Sequence, residues 1–531
     1  MALSKNINFW KIESFFLIKL SFKMKTTHTF KHLLLALFTV SSFLTYSQKG
    51  NQIVIGQIDS IQSKILNENR KVWVYVPGGG QLDIYVKQRY PVVYLLDGDA
   101  HFSSVVGMIQ QLSTVNGNMI CPEMIVVGIP NTDRMRDLSP THVVSDGYMS
   151  GDFLKTTGGG EAFTSFIEKE LMPYIESKYP TEPYKMLIGH SLGGLMVMNT
   201  IVHHPDLFNS YVAIDPSMWW DNKKLLNDSK KIMAERKFQG KSLFLGIANT
   251  MNEGMTVEKV QKDTSNDTRH IRSILELKED LARNKQNGLK VESKYYGDDS
   301  HGSVPLITEY DALHFIFDFY PLKLTRKEQM DTGTILPNKY ATHFANVSKQ
   351  LGYRVKPSEG MINGMGYQAL ASKQLQKAES FFKLNIANYP ESGNVYDSYG
   401  DYFIDKKDTV NAIIQFKKAL SVKENADTRQ KLEELQGNKK MLQLTATDLQ
   451  KYAGEFEITS IGLTLKTYVT NGTLRVLASD RPEAELVPSK LHEFKVKDVS
   501  GYNFIFEMVG DKPSAINLSV PEGNFKATLK K

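Results

Sequence analysis

Short apolar runs alternate with longer amphipathic stretches between residues 50 and 320. Seven runs, each rich in β-branched or aromatic residues, predict strands at 71–76, 91–96, 124–129, 185–188, 211–214, 242–247 and 291–296. The stretches between them predict helices at 161–177, 192–203, 256–287 and 305–320. Near-continuous apolar strands separated by helices are typical of a mostly parallel sheet covered on both faces. We therefore expect an α/β unit over residues 48–325, followed by a linker at 326–357.

The strand pattern disappears over residues 358–437, where a helical pattern repeats. Glycine, alanine and phenylalanine recur 34 residues apart in the pairs Gly366 and Gly400, Ala378 and Ala412, and Phe382 and Phe416. Small and large residues at this period resemble the tetratricopeptide repeat. Two such repeats, with a predicted capping helix at 426–435, are fewer than the three usually needed for independent stability. We therefore expect the repeats to pack against a neighbouring unit.

Strands return in the last segment, over residues 444–531. The dipeptide Asn471-Gly472 lies between two β-rich runs and predicts a tight hairpin. The segment lacks clustered histidines or carboxylates that would indicate chemistry of its own. The pattern predicts a small all-β domain, either a sandwich or a barrel.

Charge and composition exclude some classes of protein. The chain of 531 residues carries a formal charge of +6 from 64 basic and 58 acidic residues, which is too mixed to indicate nucleic-acid binding. Residues 1–47 contain lysines followed by an apolar run at 33–44, the layout of a signal peptide. A run of this length is too short to span a bilayer. We expect an exported protein, periplasmic or secreted, with no membrane span once the leader is removed.

A candidate nucleophile lies in the stretch LIGHSLGG, at Ser191. Serine in G-x-S-x-G becomes a nucleophile when it occupies a sharp turn between a strand and a helix. The predicted strand at 185–188 and helix at 192–203 supply that context. Gly189 and Gly193 leave the clearance that the turn needs, and Gly194 lets the helix pass close to the strand. The sequence therefore predicts Ser191 as a catalytic serine rather than an ordinary turn serine.

A serine nucleophile needs a base and, in most such enzymes, an acid that orients the base. His301 lies between the last predicted strand and the last predicted helix of the α/β unit, and it follows Ser191 in the chain order of this mechanism. Glu253, after the strand at 242–247, is the predicted acid. Asp298, Asp299 and a dyad without an acid remain open alternatives.

Two further groups belong to the predicted site. The backbone N–H groups of Asp99 and Leu192 are the expected oxyanion donors, because they lie just after a strand and just after the nucleophile. Trp219 and Trp220 follow another predicted strand and could wall a substrate pocket, although packing in the core is an equal alternative.

Four motifs in this order resemble the esterase D-like branch of the α/β-hydrolases: LLDGDAHF, NTDR, GHSLGG and DDSHG. The resemblance covers residues 50–320. It implies the α/β-hydrolase fold, Ser191 as nucleophile, His301 as base and oxyanion donors near Asp99 and Leu192. The glutamate at 253 departs from the aspartate that many members carry.

The resulting expectation is an exported serine esterase that forms an acyl-enzyme on a small-molecule or polysaccharide-linked ester, with neither cofactor nor metal. An acyltransferase of the same fold remains open, as does a non-catalytic binding protein acting through the helical repeats. The repeats could also bind a protein partner or mediate self-association.

Overall fold

The computed structural model describes residues 53–78, 88–145, 151–436, 442, 444–479, 482–497, 499, 501–520 and 523–530. The predicted leader at 1–47 lies outside these ranges. Within them, no helix combines the length and the apolar character needed to cross a membrane.

An eight-stranded sheet forms the centre of the first unit, with the strand order β1-β2-β4-β3-β5-β6-β7-β8. Its strands are β1 (Gln57–Ser63), β2 (Glu68–Tyr75), β3 (Tyr90–Leu96), β4 (Ile125–Ile129), β5 (Thr181–His190), β6 (Ser210–Ile214), β7 (Ser242–Ala248) and β8 (Lys290–Tyr296). The first two strands pair antiparallel, β2 pairs antiparallel with β4, and the remaining neighbours are parallel. The predicted, mostly parallel α/β sheet is therefore confirmed. The unpredicted strand β1 is an edge strand whose alternating polar residues hide it from an apolar-run search.

Helices cover both faces of this sheet. They are α1 (Gly98–Ser113), α2 (Arg134–Asp137), α3 (Gly160–Phe166), α4 (Met172–Lys178), α5 (Leu192–His203), α6 (Trp220–Glu235), α7 (Val257–Lys262), α8 (Arg269–Arg283) and α9 (Val304–Ile316), with a π-helical segment at Ile167–Leu171 and 3-10 turns at Val115–Gly117, Asp152–Leu154 and Lys285–Asn287. Alternate residues of β3 enter different cores: Tyr94 joins the core that contains α5 and α8, whereas Val93 joins the core that contains α1 and α9. The central strands β3, β4, β6 and β7 are thus buried on both faces, which explains their continuous apolar runs.

The predicted helix at 256–287 is divided in two. Asp263 ends α7, and its carboxylate accepts hydrogen bonds from the backbone N–H groups of Thr264 and Ser265 and from the hydroxyl of Thr268. Such local side-chain bonds compete with helix formation. The interruption places residue 270 at the beginning of α8 rather than in the middle of a helix.

The second unit is helical. Its helices are α10 (Arg326–Gln329), α11 (Ile335–Leu351), α12 (Glu359–Ala371), α13 (Leu375–Asn388), α14 (Gly393–Asp405), α15 (Thr409–Val422) and α16 (Ala426–Leu435). Gly366 lies against the ring of Phe382, and Gly400 lies in the same way against Phe416, so the 34-residue period corresponds to two equivalent helix pairs.

The segment expected as a linker contains α10 and α11. Val347 and Leu351 of α11 enter the core of the α/β unit. Tyr340, earlier on the same helix, lies 6.2 Å from Phe381 of α13, measured between ring centroids. This helix therefore provides the neighbour on which the helix pairs pack.

The last unit is a closed antiparallel barrel. After α17 (Ala446–Gln450), its strands are β9 (Gly454–Ile458), β10 (Leu463–Thr470), β11 (Thr473–Ala478), β12 (Ala484–Lys490), β13 (Glu493–Val496), β14 (Asn503–Val509), β15 (Lys512–Val520) and β16 (Gly523–Leu529). The order β10-β11-β12-β13-β14-β15-β16-β9 closes where β16 pairs with β9. Asn471 and Gly472 form the predicted hairpin with φ of 51° and 76°. Of the two predicted forms, the structure selects the barrel.

Candidate active site

Ser191 occupies a strained turn between β5 and α5. Its φ of 60° and ψ of −115° lie outside the regions that non-glycine residues ordinarily adopt. A Cβ on Gly189 would lie 2.4 Å from the backbone oxygen of Gly193, and one on Gly194 would lie 2.9 Å from the backbone oxygen of Ile214. The predicted clearances are therefore confirmed, and the turn depends on glycine at these positions.

Hydrogen bonds attach this turn to the turn after the neighbouring strand, β6. The N–H of Ser191 donates to the carbonyl of Ile214 at 2.9 Å, and the N–H of Ser217 donates to the carbonyl of Ser191 at 3.0 Å. The hydroxyl oxygens of Ser191 and Ser217 are 3.4 Å apart. Asp215 lies between these attachments, so the two turns hold a carboxylate beside the candidate nucleophile.

Asp215 is fully buried and adopts a φ of 41°. Its Oδ1 accepts a hydrogen bond from the N–H of Ala248 at 3.0 Å. Its Oδ2 lies 2.6 Å from Nδ1 of His301 and 2.8 Å from Nε2 of His270. Burial by itself raises the pKa of Asp215, but the hydrogen bonds from His270 and His301 outweigh it and hold the pKa of this carboxyl well below its usual range. The site therefore contains an ionised carboxylate shared by two histidines.

The tautomer of His270 follows from its second partner. The indole Nε1 of Trp219 lies 2.9 Å from Nδ1 of His270. An indole nitrogen can only donate, so Nδ1 of His270 accepts and its ring proton is on Nε2, directed at Asp215. His270 thus contributes a neutral ring with its orientation fixed at both ends.

The carboxylate that reaches His301 differs from the one expected. Glu253 lies on an exposed turn beyond the end of β7, Asp298 is exposed, and Asp299 accepts a hydrogen bond from the hydroxyl of Ser303. Asp215, rather than Glu253, contacts His301 because β6 is adjacent to β5 in the sheet, so the end of β6 lies nearer the turn that carries Ser191. One sequence signal could have identified Asp215: an acidic residue directly after a predicted parallel strand lies at the edge where ligands bind.

Ser191 and His301 line one pocket of about 250 Å³. Its other lining residues are Ser217, Trp219, Asn266, Asp267, Arg269 and His270. Among the residues that the structure describes, no hydrogen bond joins the hydroxyl of Ser191 to His301, and the neighbour of that hydroxyl is Ser217. Such catalytic bonds commonly tighten only when substrate binds. The structure thus brings the predicted serine and histidine to the same pocket.

Two more histidines pack behind His301. The ring of His190 lies 4.4 Å from that of His301, and the ring of His101 lies 5.8 Å from that of His190, measured between centroids. Burial, followed by the nearby His301 and His101, lowers the pKa of His190 to about 4. His190 thus presents a neutral ring to one face of His301.

The two expected oxyanion donors lie at helix N-termini, since Leu192 is the first residue of α5 and Asp99 the second of α1. The first N–H groups of a helix lack intrahelical acceptors and favour negative charge. The turns that carry them are adjacent: a Cβ on Gly193 would lie 3.0 Å from Oδ2 of Asp97. Asp97 has a φ of 51°. Arg134 holds its carboxylate with two bonds of 2.7 Å and 3.0 Å.

The two tryptophans occupy different environments. Trp219 lines the pocket, and the guanidinium of Arg269 lies 4.3 Å from the centroid of its ring. Trp220 is 2% exposed, and its indole N–H donates to the carbonyl of Thr141 at 3.3 Å. The structure therefore brings Trp219 to the site and places Trp220 in the core.

The carboxylate and its two histidines also have the ligand types of a zinc site, and the three atoms lie within 4.8 Å of one another. The fixed tautomer of His270 places a proton between its Nε2 and Asp215. A cation there would have to displace that proton. The arrangement therefore favours orienting a histidine for proton transfer over binding a cation.

Comparison with known proteins places the α/β unit among esterases. The family described as "Putative esterase" matches residues 63–267. The siderophore enterobactin esterase of Emericella nidulans is 28% identical over 154 residues, which cover 27% of this chain and 51% of that enzyme. This chain thus spans about half the length of that relative. The ferri-bacillibactin esterase BesA of Bacillus subtilis is 29% identical over 240 residues, 43% of this chain and 78% of that enzyme.

A solved structure extends the similarity over a larger part of the chain. The crystal structure of an IroE-like serine hydrolase from Shewanella oneidensis is 30% identical, with a TM-score of 0.52, and the match covers 62% of this chain and 98% of that one. The chain therefore belongs to this esterase family of carboxylic ester hydrolases, built on the α/β-hydrolase fold.

Proposed function

We propose that this protein is an exported serine esterase that hydrolyses carboxylic esters through an acyl-enzyme, with Ser191 as nucleophile, His301 as base and Asp215 as the acid that orients the base. The observation that carries the proposal is the 2.6 Å contact between Nδ1 of His301 and Oδ2 of Asp215, at the edge of the pocket that Ser191 lines. A carboxylate on Nδ1 fixes the tautomer in which Nε2 is free to accept a proton.

The reaction then proceeds in two halves. The oxygen of Ser191 attacks the ester carbonyl carbon while Nε2 of His301 takes the hydroxyl proton, and the N–H groups of Leu192 and Asp99 stabilise the oxyanion. His301 returns the proton to the departing alcohol. Water, deprotonated by the same nitrogen, attacks the acyl carbonyl and releases the acid and Ser191.

The substrate that we propose is a siderophore ester with an aromatic acyl arm. The names of the relatives from Emericella nidulans and Bacillus subtilis support the siderophore class. The indole of Trp219, with Arg269 over it, offers a flat wall for an aromatic ring and a positive charge for anionic substituents. The pocket holds one arm of such a molecule and leaves the remainder in solvent.

The other units extend this proposal. Residues 1–47 act as a signal peptide that directs export, and the two helix pairs form tetratricopeptide-like repeats that present a surface to a protein partner or a second copy of the chain. The equivalent contacts of Gly366 with Phe382 and of Gly400 with Phe416 support the repeat assignment.

The decisive experiment compares the wild type with Ser191→Ala and Ser217→Ala. Ser217 is the matched control, because its hydroxyl lies 3.4 Å from that of Ser191. We expect Ser191→Ala to lose kcat by on the order of 10⁴-fold or more on p-nitrophenyl esters and to lose labelling by a fluorophosphonate probe. Ser217→Ala should retain both.

A macrocyclic siderophore ester supplies the test of substrate class. Mass spectrometry should detect ring opening by the addition of one water with the wild type and not with Ser191→Ala. Hydrolysis and labelling that persist in Ser191→Ala but vanish in Ser217→Ala would contradict the assignment of the nucleophile. Turnover of p-nitrophenyl esters without turnover of the siderophore ester would contradict only the substrate.

A further inference from the structure

The barrel at the end of the chain encloses a cavity of about 520 Å³. All eight strands contribute to its wall, and fifteen described residues line it: Ile458, Ile461, Leu463, Leu465, Val476, Ala478, Pro482, Ala484, Val496, Val499, Tyr502, Phe504, Leu518, Val520 and Phe525. The cavity is therefore the interior of the barrel rather than a depression on its surface. Eight-stranded barrels have an interior that is either filled by side chains or holds one small ligand.

The two ends of the barrel interior are packed differently. One end is filled by a cluster of aromatic rings, in which Tyr452 lies 4.7 Å from Phe494 and 5.1 Å from Phe506, measured between centroids. Helix α17 packs on β10 and β11 beside this cluster. None of these three aromatic residues lines the cavity. The aromatic cluster thus seals one end and leaves the unfilled space at the other.

The open end is apolar up to solvent. Ile461 and Val499 line the cavity and are 56% and 48% exposed, whereas Leu465 and Val476, deeper in the same wall, are 3% and 5% exposed. Apolar side chains therefore run continuously from the surface to the interior. An apolar surface at the entrance to an apolar cavity indicates that the cavity binds a ligand rather than holding bulk water.

The chemistry of the wall selects the ligand. Tyr502 is the sole polar side chain among the described lining residues, and none of those residues is charged. Eleven of the fifteen are isoleucine, leucine, valine or alanine, so the wall is irregular and offers few flat aromatic surfaces. A flexible alkyl chain fits such a wall, and any charged group must remain at the mouth, because burying an unpaired charge is costly.

We propose that the barrel binds one molecule with an unbranched alkyl chain, such as a fatty acid or fatty alcohol, with the chain inside and the polar head at the mouth near Ile461 and Val499. This site is separate from the ester-hydrolysing pocket and involves no covalent step.

The test uses 11-(dansylamino)undecanoic acid, whose fluorescence rises when it leaves water, on the full chain below the concentration at which the probe forms micelles. Dansylglycine, the same fluorophore without the chain, is the matched probe. We expect saturable binding of one undecanoate probe per chain, displacement by 1-dodecanol, and no binding of dansylglycine.

Two neighbouring residues of β11 provide a matched pair of variants. Val476 faces the cavity and is 5% exposed, whereas Leu477 is 42% exposed and does not line the cavity. Val476→Phe should fill the space and weaken binding at least tenfold, whereas Leu477→Phe should bind as the wild type does. Ala484→Phe, which fills the cavity from a half-buried position on β12, serves as a second blocking variant if Val476→Phe does not fold.

Folding of each variant is checked by circular dichroism and thermal unfolding. The absence of saturable binding in the wild type would overturn the proposal. Equal binding by a folded blocking variant and by Leu477→Phe would also overturn it, because the probe would then occupy another part of the chain.

Discussion

Asp215 and His301 meet through a contact of 2.6 Å between Oδ2 and Nδ1, although 86 residues separate them along the chain. The carboxylate lies at the end of β6 and the imidazole lies in the loop after β8. His301 therefore receives its orientation from a strand adjacent to that of Ser191, rather than from the more distant turn that carries Glu253.

Replacing Asp215 by asparagine should reduce kcat by on the order of 10³–10⁴-fold, because an amide NH₂ facing Nδ1 of His301 favours the wrong tautomer. Glu253→Gln is the matched control and should leave kcat within about twofold, because surface substitutions away from such contacts have small effects. Steady-state kinetics on a p-nitrophenyl ester measure both. A full loss of activity in Glu253→Gln, with activity retained in Asp215→Asn, would show that Glu253 rather than Asp215 orients His301.

His270 should act as a positioning residue that tunes Asp215. In His270→Phe, Asp215 loses one hydrogen-bond donor and holds the protonated form of the base more strongly. The acidic limb of kcat/KM against pH should therefore move to higher pH, by at most roughly 0.7 of a pH unit, because one such bond is worth roughly 1 kcal/mol in total. His270→Gln can still donate to Asp215 and should move the limb back toward the wild type.

A purely structural role for His270 would lower activity without displacing the limb, and that result would contradict the prediction. Trp219→Phe should produce a smaller displacement in the same direction, because it removes the donor that fixes the tautomer of His270.

The pair formed by Arg134 and Asp97 should position the backbone N–H of Asp99, the proposed oxyanion donor. Lysine at 134 cannot reproduce the two bonds from one guanidinium to Asp97. Losing an oxyanion donor outright costs about 10²–10³ in kcat, and we expect Arg134→Lys to lose roughly tenfold of kcat with little change in KM. Arg136→Lys, which disturbs contacts with Glu68 and Asp137, is the control and should reduce stability rather than kcat. Equal losses of kcat in Arg134→Lys and Arg136→Lys would contradict a specific effect of Arg134 on the oxyanion donor.

Glu309 of α9 should make the stability of the α/β unit depend on pH. The side chain is 2% exposed, and both its oxygens lack a hydrogen-bond partner among the described residues. Burial raises the pKa of Glu309 to about 8. Between the ordinary pKa of 4.5 and this value the unfolded state releases a proton that the folded state retains, so stability falls as pH rises.

At roughly 1.4 kcal/mol per pH unit, raising the pH from 5 to 8 should lower the free energy of unfolding by up to roughly 4 kcal/mol. Glu309→Gln should lose this dependence and be more stable than the wild type at pH 8. Urea unfolding followed by tryptophan fluorescence reports on this unit, because Trp73, Trp219 and Trp220 all lie in it. An unchanged pH dependence in Glu309→Gln, matching that of Glu253→Gln, would contradict the prediction.

Local sequence was sufficient for the strand-turn-helix at Ser191 and for the order of the α/β, helical and all-β units, although not for the helices α10 and α11 in the expected linker. The strand, the turn glycines and the helix around Ser191 are contiguous, and Gly189 lies against Gly193 within that stretch, so its pattern predicts the turn without reference to the rest of the molecule. The 34-residue period likewise identified the equivalent helix pairs, because each pair packs chiefly against its own residues. His301 was predicted from its place between a strand and a helix, and the structure brings it to the same pocket as Ser191.

The partners of His301 depended on tertiary structure. Asp215 reaches it because β6 lies beside β5 and because a φ of 41° turns the chain at that point. The residues around position 215 specify neither the strand order nor this turn. His270 reaches the same carboxylate because the Asp263 turn divides the predicted helix. The barrel closes through pairing of β9 with β16, strands about 70 residues apart. The hydrophobic pattern identifies which face of an element is buried. Contacts between distant residues are set by the order of the strands and the direction of the turns, and these are determined only when the whole chain packs.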